Sequence, residues 1–154
     1  MPKKILKYAS SSDLMNIQIF YGDERFRFNL YEEIIINENQ IEEEIKNQPS
    51  AYSFLSMLRT KLKRNLADAE FELNKTYGRV FNEHKSKVDR LSGRVPGDDT
   101  VVSRVYCDPD YAEAAEKTRA LKHEVEVIET CVRSFEQRKD LIQTLAANLR
   151  KENS

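Results

Sequence analysis

The chain has 154 residues, of which 33% are charged, and it contains four Gly, four Pro and no Trp. This length suits one domain, and the mean hydropathy of −0.68 is typical of polar helices with narrow apolar stripes. Two cysteines are too few for a secreted disulfide scaffold, the start lacks a secretory leader pattern, and no apolar run nears the ~20 residues of a membrane span. These observations exclude secreted scaffolds and membrane-spanning proteins, and we expect a cytoplasmic location.

The net charge of −1 hides an uneven distribution of charge along the chain. Six acidic residues and one lysine lie between positions 32 and 46, whereas ten basic and five acidic residues lie between positions 59 and 94. An acidic segment followed by a basic one indicates either a polyanion-binding surface or two surfaces that dock between subunits. Solvated helix faces are the alternative interpretation.

The N-terminal region predicts a flexible arm followed by a β-hairpin. Residues 1–12 contain three lysines and a serine-rich stretch, which favours a mobile arm. Residues 16–20 and 25–29 alternate polar and apolar side chains on either side of a turn at 21–24, so the region 13–36 is predicted to hold a β-hairpin. An isolated hairpin is marginal in water, and it therefore has to pack on helices or on another copy.

Two further patterns predict a short helix and then a long one. Asn37 and Gln40 have capping-box spacing ahead of a helix at 37–48, which Pro49 is expected to end. Apolar residues from Ala51 to Leu91 then follow the spacing 4-3-4, an eleven-residue repeat that keeps one stripe on a nearly straight helix at 50–92. Such a helix is roughly 60 Å long and favours an elongated shape.

The C-terminal third predicts a second long helix. Gly93, Pro96 and Gly97 indicate a loop at 93–108, and Asp108-Pro109 is a strong start for a helix at 109–152. The two predicted core positions of this helix recur in sevens, one at Thr118, Val125, Val132, Lys139 and Ala146 and the other at Leu121, Ile128, Phe135, Ile142 and Leu149. Helices of similar length are expected to pair, which gives a mainly α fold: a single domain, 13–154, built on a long antiparallel helical hairpin with a short helix and the β-hairpin.

Several apolar side chains fall outside these two stripes, and a two-helix hairpin offers no second face to bury them. We therefore expect them to form the interface of a homo-oligomer. They are Phe71, Phe81, Val127, Cys131, Leu141 and Leu145.

The search for catalytic chemistry gives no candidates. Nucleophile elbow, phosphate-loop, dinucleotide and CxxC motifs are absent from the sequence, and neither His84 nor His123 has a partner at metal-ligand spacing. We expect structural roles for both histidines and inert thiols at Cys107 and Cys131. The sequence thus predicts a non-enzymatic protein without a cofactor or metal site.

The basic segment is the remaining functional candidate. Lysine and arginine on a rigid helix can follow phosphates without reading bases, and aromatic rings can stack on single-stranded bases. The predicted DNA-binding residues are Lys63, Arg64, Lys75, Tyr77, Arg79, Lys85, Lys87, Arg90 and Arg94. Assembly would present several such patches to one strand.

The chain resembles the UvsY-like recombination mediators of tailed phages over roughly residues 36–152. The resemblance comprises the short acidic helix ending in NQPSAY (47–52), the long helix with Leu62-Lys63-Arg64, the Gly/Asp loop, the segment DPDY (108–111), and LAANLRK (145–151). The N-terminal hairpin region is outside it. The resemblance implies a ring of six or seven subunits that binds single-stranded DNA and helps a RecA-like recombinase replace single-strand-binding protein, in the host cytoplasm if the chain is phage-encoded. It also implies DNA contacts near Lys75 and Arg79, with Lys63 and Arg64 as an earlier basic pair.

Other classes of protein share these features. A coiled-coil structural or chaperone-like protein uses similar long helices without binding a strand. An adaptor could bind a protein partner through the acidic segment at 32–46. A small hydrolase or nuclease is the remaining alternative, and it has no pair of acids or histidines on a shared face to support it.

Overall fold

The computed structural model describes residues 13–90 and 92–152, so the predicted arm at 1–12 lies outside the described residues. A short 3-10 turn at Asp13–Met15 leads into strands β1 (Asn16–Tyr21) and β2 (Glu24–Asn29). The strands are antiparallel, with Ile17 opposite Phe28. Gly22 begins the two-residue turn with a φ of +58°, which fits the II′ geometry that matches strand twist. The β-hairpin prediction is confirmed.

A helix that the sequence analysis did not predict follows the hairpin directly. Helix α1 (Leu30–Ile34) is capped by Asn29, whose side-chain oxygen accepts a hydrogen bond from the Glu32 N–H at 3.2 Å. Leu30 is buried. The region assigned to the hairpin alone therefore holds two strands and one helical turn.

Helix α2 (Ile41–Ser86) runs unbroken for 46 residues, and the prediction that Pro49 ends a short helix is wrong. A proline inside a helix removes one backbone hydrogen bond and costs about 3 kcal/mol. Buried contacts on both sides of Pro49 offset this cost: Gln48 is 5% exposed and Leu55 is 4% exposed. Tertiary packing therefore overrides the local preference.

The predicted capping residue Asn37 is confirmed, with a different partner for its backbone. The Asn37 side chain accepts from the Asn39 N–H at 3.1 Å, ahead of a 3-10 turn at Glu38–Gln40. Its own N–H donates to Glu44 Oε1 at 2.9 Å, whereas Gln40 bonds the Asn37 side chain. The backbone N–H groups of Asn37 and Asn39 therefore both have acceptors, as the N-terminus of a helix requires.

The region predicted as a loop contains a third helix. Helix α2 ends at Ser86, five residues before Leu91, and helix α3 (Asp98–Tyr106) lies within 93–108. Val101 and Val105 of α3 are fully buried, which explains why this segment folds as a helix. Helix α4 (Pro109–Glu152) starts at the predicted residue.

The chain forms two compact units. Of the described residues, unit 1 contains 13–62 and 124–152, and unit 2 contains 63–90 and 92–123. Helices α2 and α4 run antiparallel in each: Tyr52 donates to Glu136 at 3.0 Å in unit 1, and Thr118 lies 3.3 Å from the Ala69 carbonyl in unit 2. The mainly α class and the antiparallel pairing are as predicted.

The predicted apolar stripes account for most of the core. Leu55, Leu58 and Leu62 of α2 are buried, as are Val125, Ile128, Val132, Phe135 and Ile142 of α4. Lys139, placed in the α4 seam by its heptad position, is exposed, whereas its neighbour Arg138 is only 7% exposed. The heptad pattern therefore fails at Lys139, and also at Leu149, which is 38% exposed.

Arg138 is a buried charge at the centre of a polar network in unit 1. Its guanidinium pairs with the Glu44 carboxylate, donates to Gln48 Oε1 at 2.5 Å and lies 3.4 Å from the Ile35 carbonyl. Gln48 in turn donates to the Phe135 carbonyl at 2.7 Å. These bonds tie the segment before α2, α2 itself and α4 together. A buried charge needs such partners, because desolvation would otherwise be prohibitive.

Arg138→Met is expected to lower the free energy of unfolding by at most about 3–5 kcal/mol, because it leaves the partly buried Glu44 carboxylate without its opposite charge. Urea unfolding followed by circular dichroism measures the change. Arg133→Met is the matched control, since Arg133 lies on the same helix and is exposed. Equal stability losses in the two variants would show that the Arg138 network makes no special contribution to the free energy of unfolding.

The Glu44 carboxyl makes this stability depend on pH. Burial raises the pKa of Glu44. The hydrogen bond from the Asn37 N–H and the Arg138 guanidinium together lower it by more than burial raises it, so the pKa lies below the ordinary value. A depressed pKa gives stability that is present above the unfolded pKa and is lost as the pH falls through the folded pKa.

Glu44→Gln is therefore expected to be less stable than the parent protein near neutral pH, with the gap closing as the pH falls through the ordinary Glu pKa of about 4.3 and then through the lower pKa of the folded state. Urea midpoints across this pH range provide the measurement. Glu43→Gln, an exposed neighbour, serves as control. A gap that stays constant with pH would show that the charge of Glu44 contributes nothing.

Candidate nucleic-acid interface

All nine predicted DNA-binding residues lie in unit 2. The core of this unit is a cluster of Val80, Val101 and Val105, against which Tyr77, Phe81 and Tyr111 pack. Helix α3 thus packs on the side of α2 that carries Val80 and Phe81, for which no covering helix was predicted. The cluster fixes how the basic side chains of α2 are presented.

Two of the predicted DNA-binding cations are engaged by carboxylates of the chain itself. Arg79 bonds Glu83 at 2.9 Å and Asp110 at 2.7 Å, and these bonds raise the pKa of its guanidinium. Lys85 donates to the Pro96 carbonyl at 3.0 Å and to Asp98 at 2.6 Å. Both side chains tie α2 to the segments that follow it, so they are poorly placed to bind a phosphate. Lys75 forms a looser exposed pair with Glu72 at 3.5 Å.

Tyr77 is also held inside the unit. Its ring stacks on Phe81 with centroids 6.1 Å apart and meets Tyr111 edge-on at 6.0 Å. It is half-buried, and the prediction that it offers an open stacking surface is not supported by this geometry. Tyr106 and Tyr111 complete this aromatic group; Tyr106 was not predicted because it lies on α3, which the sequence did not reveal, and Tyr111 lies in the first turn of the predicted α4.

Three predicted cations lie in the segment after α2, where two backbone hydrogen bonds between residues 89 and 94 form a closed loop. The Asp89 N–H donates to the Arg94 carbonyl at 2.9 Å, and the Gly93 N–H donates to the Asp89 carbonyl at 2.8 Å. Gly93 takes a φ of +65°, a backbone region that favours glycine. Lys87, Arg90 and Arg94 are all exposed, and among the described residues their side chains make no ion pair. Lys63 and Arg64 are exposed on α2.

His84 and Asp108 form a partly buried pair, with 3.4 Å between Nε2 and Oδ2. Burial raises the pKa of Asp108, but hydrogen bonds from the Asp110 and Tyr111 N–H groups and the adjacent His84 lower it below its usual range. Asp108 thus caps α4, as predicted, and His84 contacts this capping residue. Among residues 13–90 and 92–152, no group of three His, Cys, Asp or Glu side chains could hold a metal ion.

The predicted oligomer-interface residues divide into two groups. Phe71 is 66% exposed and Leu141 is 58% exposed, whereas Phe81, Val127 and Leu145 are half-buried. Cys131 is fully buried in unit 1, so the prediction that it lacks cover within its own chain is wrong. Phe81 is also partly covered, because α3 supplies the face that a simple two-helix hairpin lacks.

In the described part of the chain, neither long helix carries an apolar stretch sufficient to cross a bilayer. Comparison with known proteins gives no family: no family model, no curated protein and no solved structure matches this chain.

Proposed function

We propose that the protein is a recombination mediator, without enzymatic activity, that binds single-stranded DNA through unit 2. The observation that carries the proposal is the closed loop with Lys87, Arg90 and Arg94, three exposed cations within eight residues. The neighbouring carboxylates Asp98 and Asp110 are already paired with Lys85 and Arg79. Asp89, the acid inside the loop, accepts a hydrogen bond from the Ser92 hydroxyl at 3.0 Å. The three loop cations outnumber this one acid, which favours their contact with phosphates.

The binding step follows from the chemistry of these groups. Lysine and arginine neutralise phosphates regardless of base sequence, and the release of counterions makes the affinity depend strongly on salt. Lys63 and Arg64 are exposed on α2 near the start of unit 2, where they offer a further basic pair. A mediator needs this sequence tolerance, because it has to act on any exposed strand.

Assembly strengthens the proposal. A few phosphate contacts give weak binding, but copies of the chain that share one strand convert later contacts into effectively intramolecular ones. Phe71 and Leu141 are large apolar side chains exposed on α2 and α4, and they are suited to contacts between copies. We propose a ring-shaped homo-oligomer of six or seven subunits, as the family resemblance implies. The strand held on it would pass from single-strand-binding protein to a RecA-like recombinase in the cytoplasm.

A coiled-coil structural or adaptor protein is the second candidate. Unit 2 contains twelve basic and eleven acidic residues, so its net charge is small despite the basic run on α2. Such a balance favours contacts with protein as much as with DNA. Strand binding separates the two candidates.

Replacing Lys87, Arg90 and Arg94 together by Ala is expected to weaken binding of oligo-dT. The slope of log affinity against log salt should become shallower by about 2, because each of the three lost phosphate contacts contributes roughly 0.7 to the slope. Fluorescence anisotropy between low and moderate salt measures both quantities.

The matched control replaces Lys117, Arg119 and Lys122 by Ala. These residues are exposed on α4 of the same unit, so the variant loses equal charge elsewhere. Equal losses in both variants would indicate a net-charge effect, and absence of binding by the parent protein in low salt would favour the structural candidate.

Phe71→Glu and Leu141→Glu are each expected to reduce the assembly to smaller species, because a charge buried in an apolar interface costs several kcal/mol. Light scattering at micromolar concentration gives the mass. Glu70→Gln and Asp140→Asn are exposed neighbours that serve as controls. A parent protein that is monomeric at this concentration would rule out the proposed ring.

A further inference from the structure

Tyr106 is the exposed end of a chain of four aromatic rings in unit 2. It is the last residue of α3 and is 61% exposed. Its ring meets Tyr111 at 5.5 Å with an interplanar angle of 79°. Tyr111 contacts Tyr77, which stacks on Phe81. Tyr77, Phe81 and Tyr111 pack against the buried valines of the unit, and Tyr106 is attached to this group through its contact with Tyr111.

The angle between the rings of Tyr106 and Tyr111 decides which surface is available. In an edge-to-face pair, one ring's edge meets the other ring's face. Whichever ring supplies the edge, Tyr111 covers at most one face of Tyr106. With Tyr106 61% exposed, most of the residue is accessible to solvent, which leaves room for a ligand on the other face.

We propose that this face of Tyr106 is a stacking site for one unpaired nucleobase, an inference that rests on the proposed strand binding. Stacking on aromatic rings is sequence-tolerant, because every base has a π face. A rigid tyrosine provides contact area at low entropic cost. Bases in a duplex are already stacked on their neighbours, so this contact favours single strands over duplexes.

The charges around the aromatic chain are compatible with a nucleic-acid strand. Asp110 is adjacent to Tyr111 and is paired with Arg79 at 2.7 Å. The Asp108 carboxylate accepts hydrogen bonds from the backbone N–H groups of Asp110 and Tyr111, and it contacts His84. The two carboxylates nearest in sequence to the tyrosines are thus engaged, which weakens their repulsion of phosphates. Arg104 lies two residues before Tyr106 on α3.

The test compares oligo-dT with an abasic strand of the same length, which has the same phosphates and no bases. Tyr106→Ala is expected to weaken oligo-dT binding by about 5- to 150-fold, the effect of losing one stacked base. Affinity for the abasic strand and the salt slope should both stay at the parent value, because no phosphate contact is removed. Tyr106→Phe should bind as the parent does.

A second readout uses the absence of Trp from the sequence. Tyr106→Trp introduces the sole indole of the chain, and its fluorescence is expected to be quenched by oligo-dT and not by the abasic strand. Phe20→Trp, on an exposed residue of β1 in unit 1, is the matched control and should not be quenched by either strand.

The outcomes separate this inference from the proposal beneath it. Salt-dependent oligo-dT binding that Tyr106→Ala leaves unchanged would overturn the stacking site and leave strand binding intact. Equal weakening on oligo-dT and the abasic strand would also overturn it, since the loss would then not involve a base. No strand binding by the parent protein would overturn both.

Discussion

Burial of one charge, the Arg138 guanidinium, is the main constraint on unit 1: its two terminal nitrogens are hydrogen-bonded, whereas its Nε has no hydrogen-bond partner among the described residues. Glu44 supplies the opposite charge, and Gln48 and the Ile35 carbonyl supply acceptors, so residues of three segments must come together for the arginine to be buried. A network of this kind stabilises the fold only when its members are present together. Continuity of α2 through Pro49 has a separate cause, the burial of side chains on both sides of the proline, Gln48 before it and Leu55 after it. The β-hairpin and α1 are joined to this network through the segment that carries Ile35 and Asn37.

Local patterns predicted the elements that depend on short-range chemistry. The hairpin turn at Gly22 and the helix start at Asp108-Pro109 are decided by a few adjacent residues, and both were predicted from them. Continuity through Pro49 and the helical state of residues 98–106 are decided by burial against distant segments, which periodicity does not reveal. The position of Arg138 in the core is a further example, since the heptad pattern selected Lys139. The stripe on α2 was predicted well, but its end was placed too late because Val88 is exposed.

The candidate interface was predictable in part for the same reason. Composition located the basic segment, and all nine selected residues lie in unit 2. Composition alone did not distinguish cations that bind phosphates from cations that bind the chain's own acids. Arg79 and Lys85 belong to the second kind, since Asp110 and Asp98 come from later elements. Tyr106 joins the aromatic group as the last residue of α3, so its place in the group could not be predicted without that helix.

The two cysteines differ sharply in chemical accessibility. Cys131 is fully buried, and burial raises the pKa of its thiol to about 11, so little thiolate forms near neutral pH. Cys107 is exposed and follows Tyr106 directly. A maleimide dye should therefore label the native protein at a single position, beside the outermost aromatic ring. The wild-type chain thus offers an attachment point for a spectroscopic reporter without any engineered cysteine.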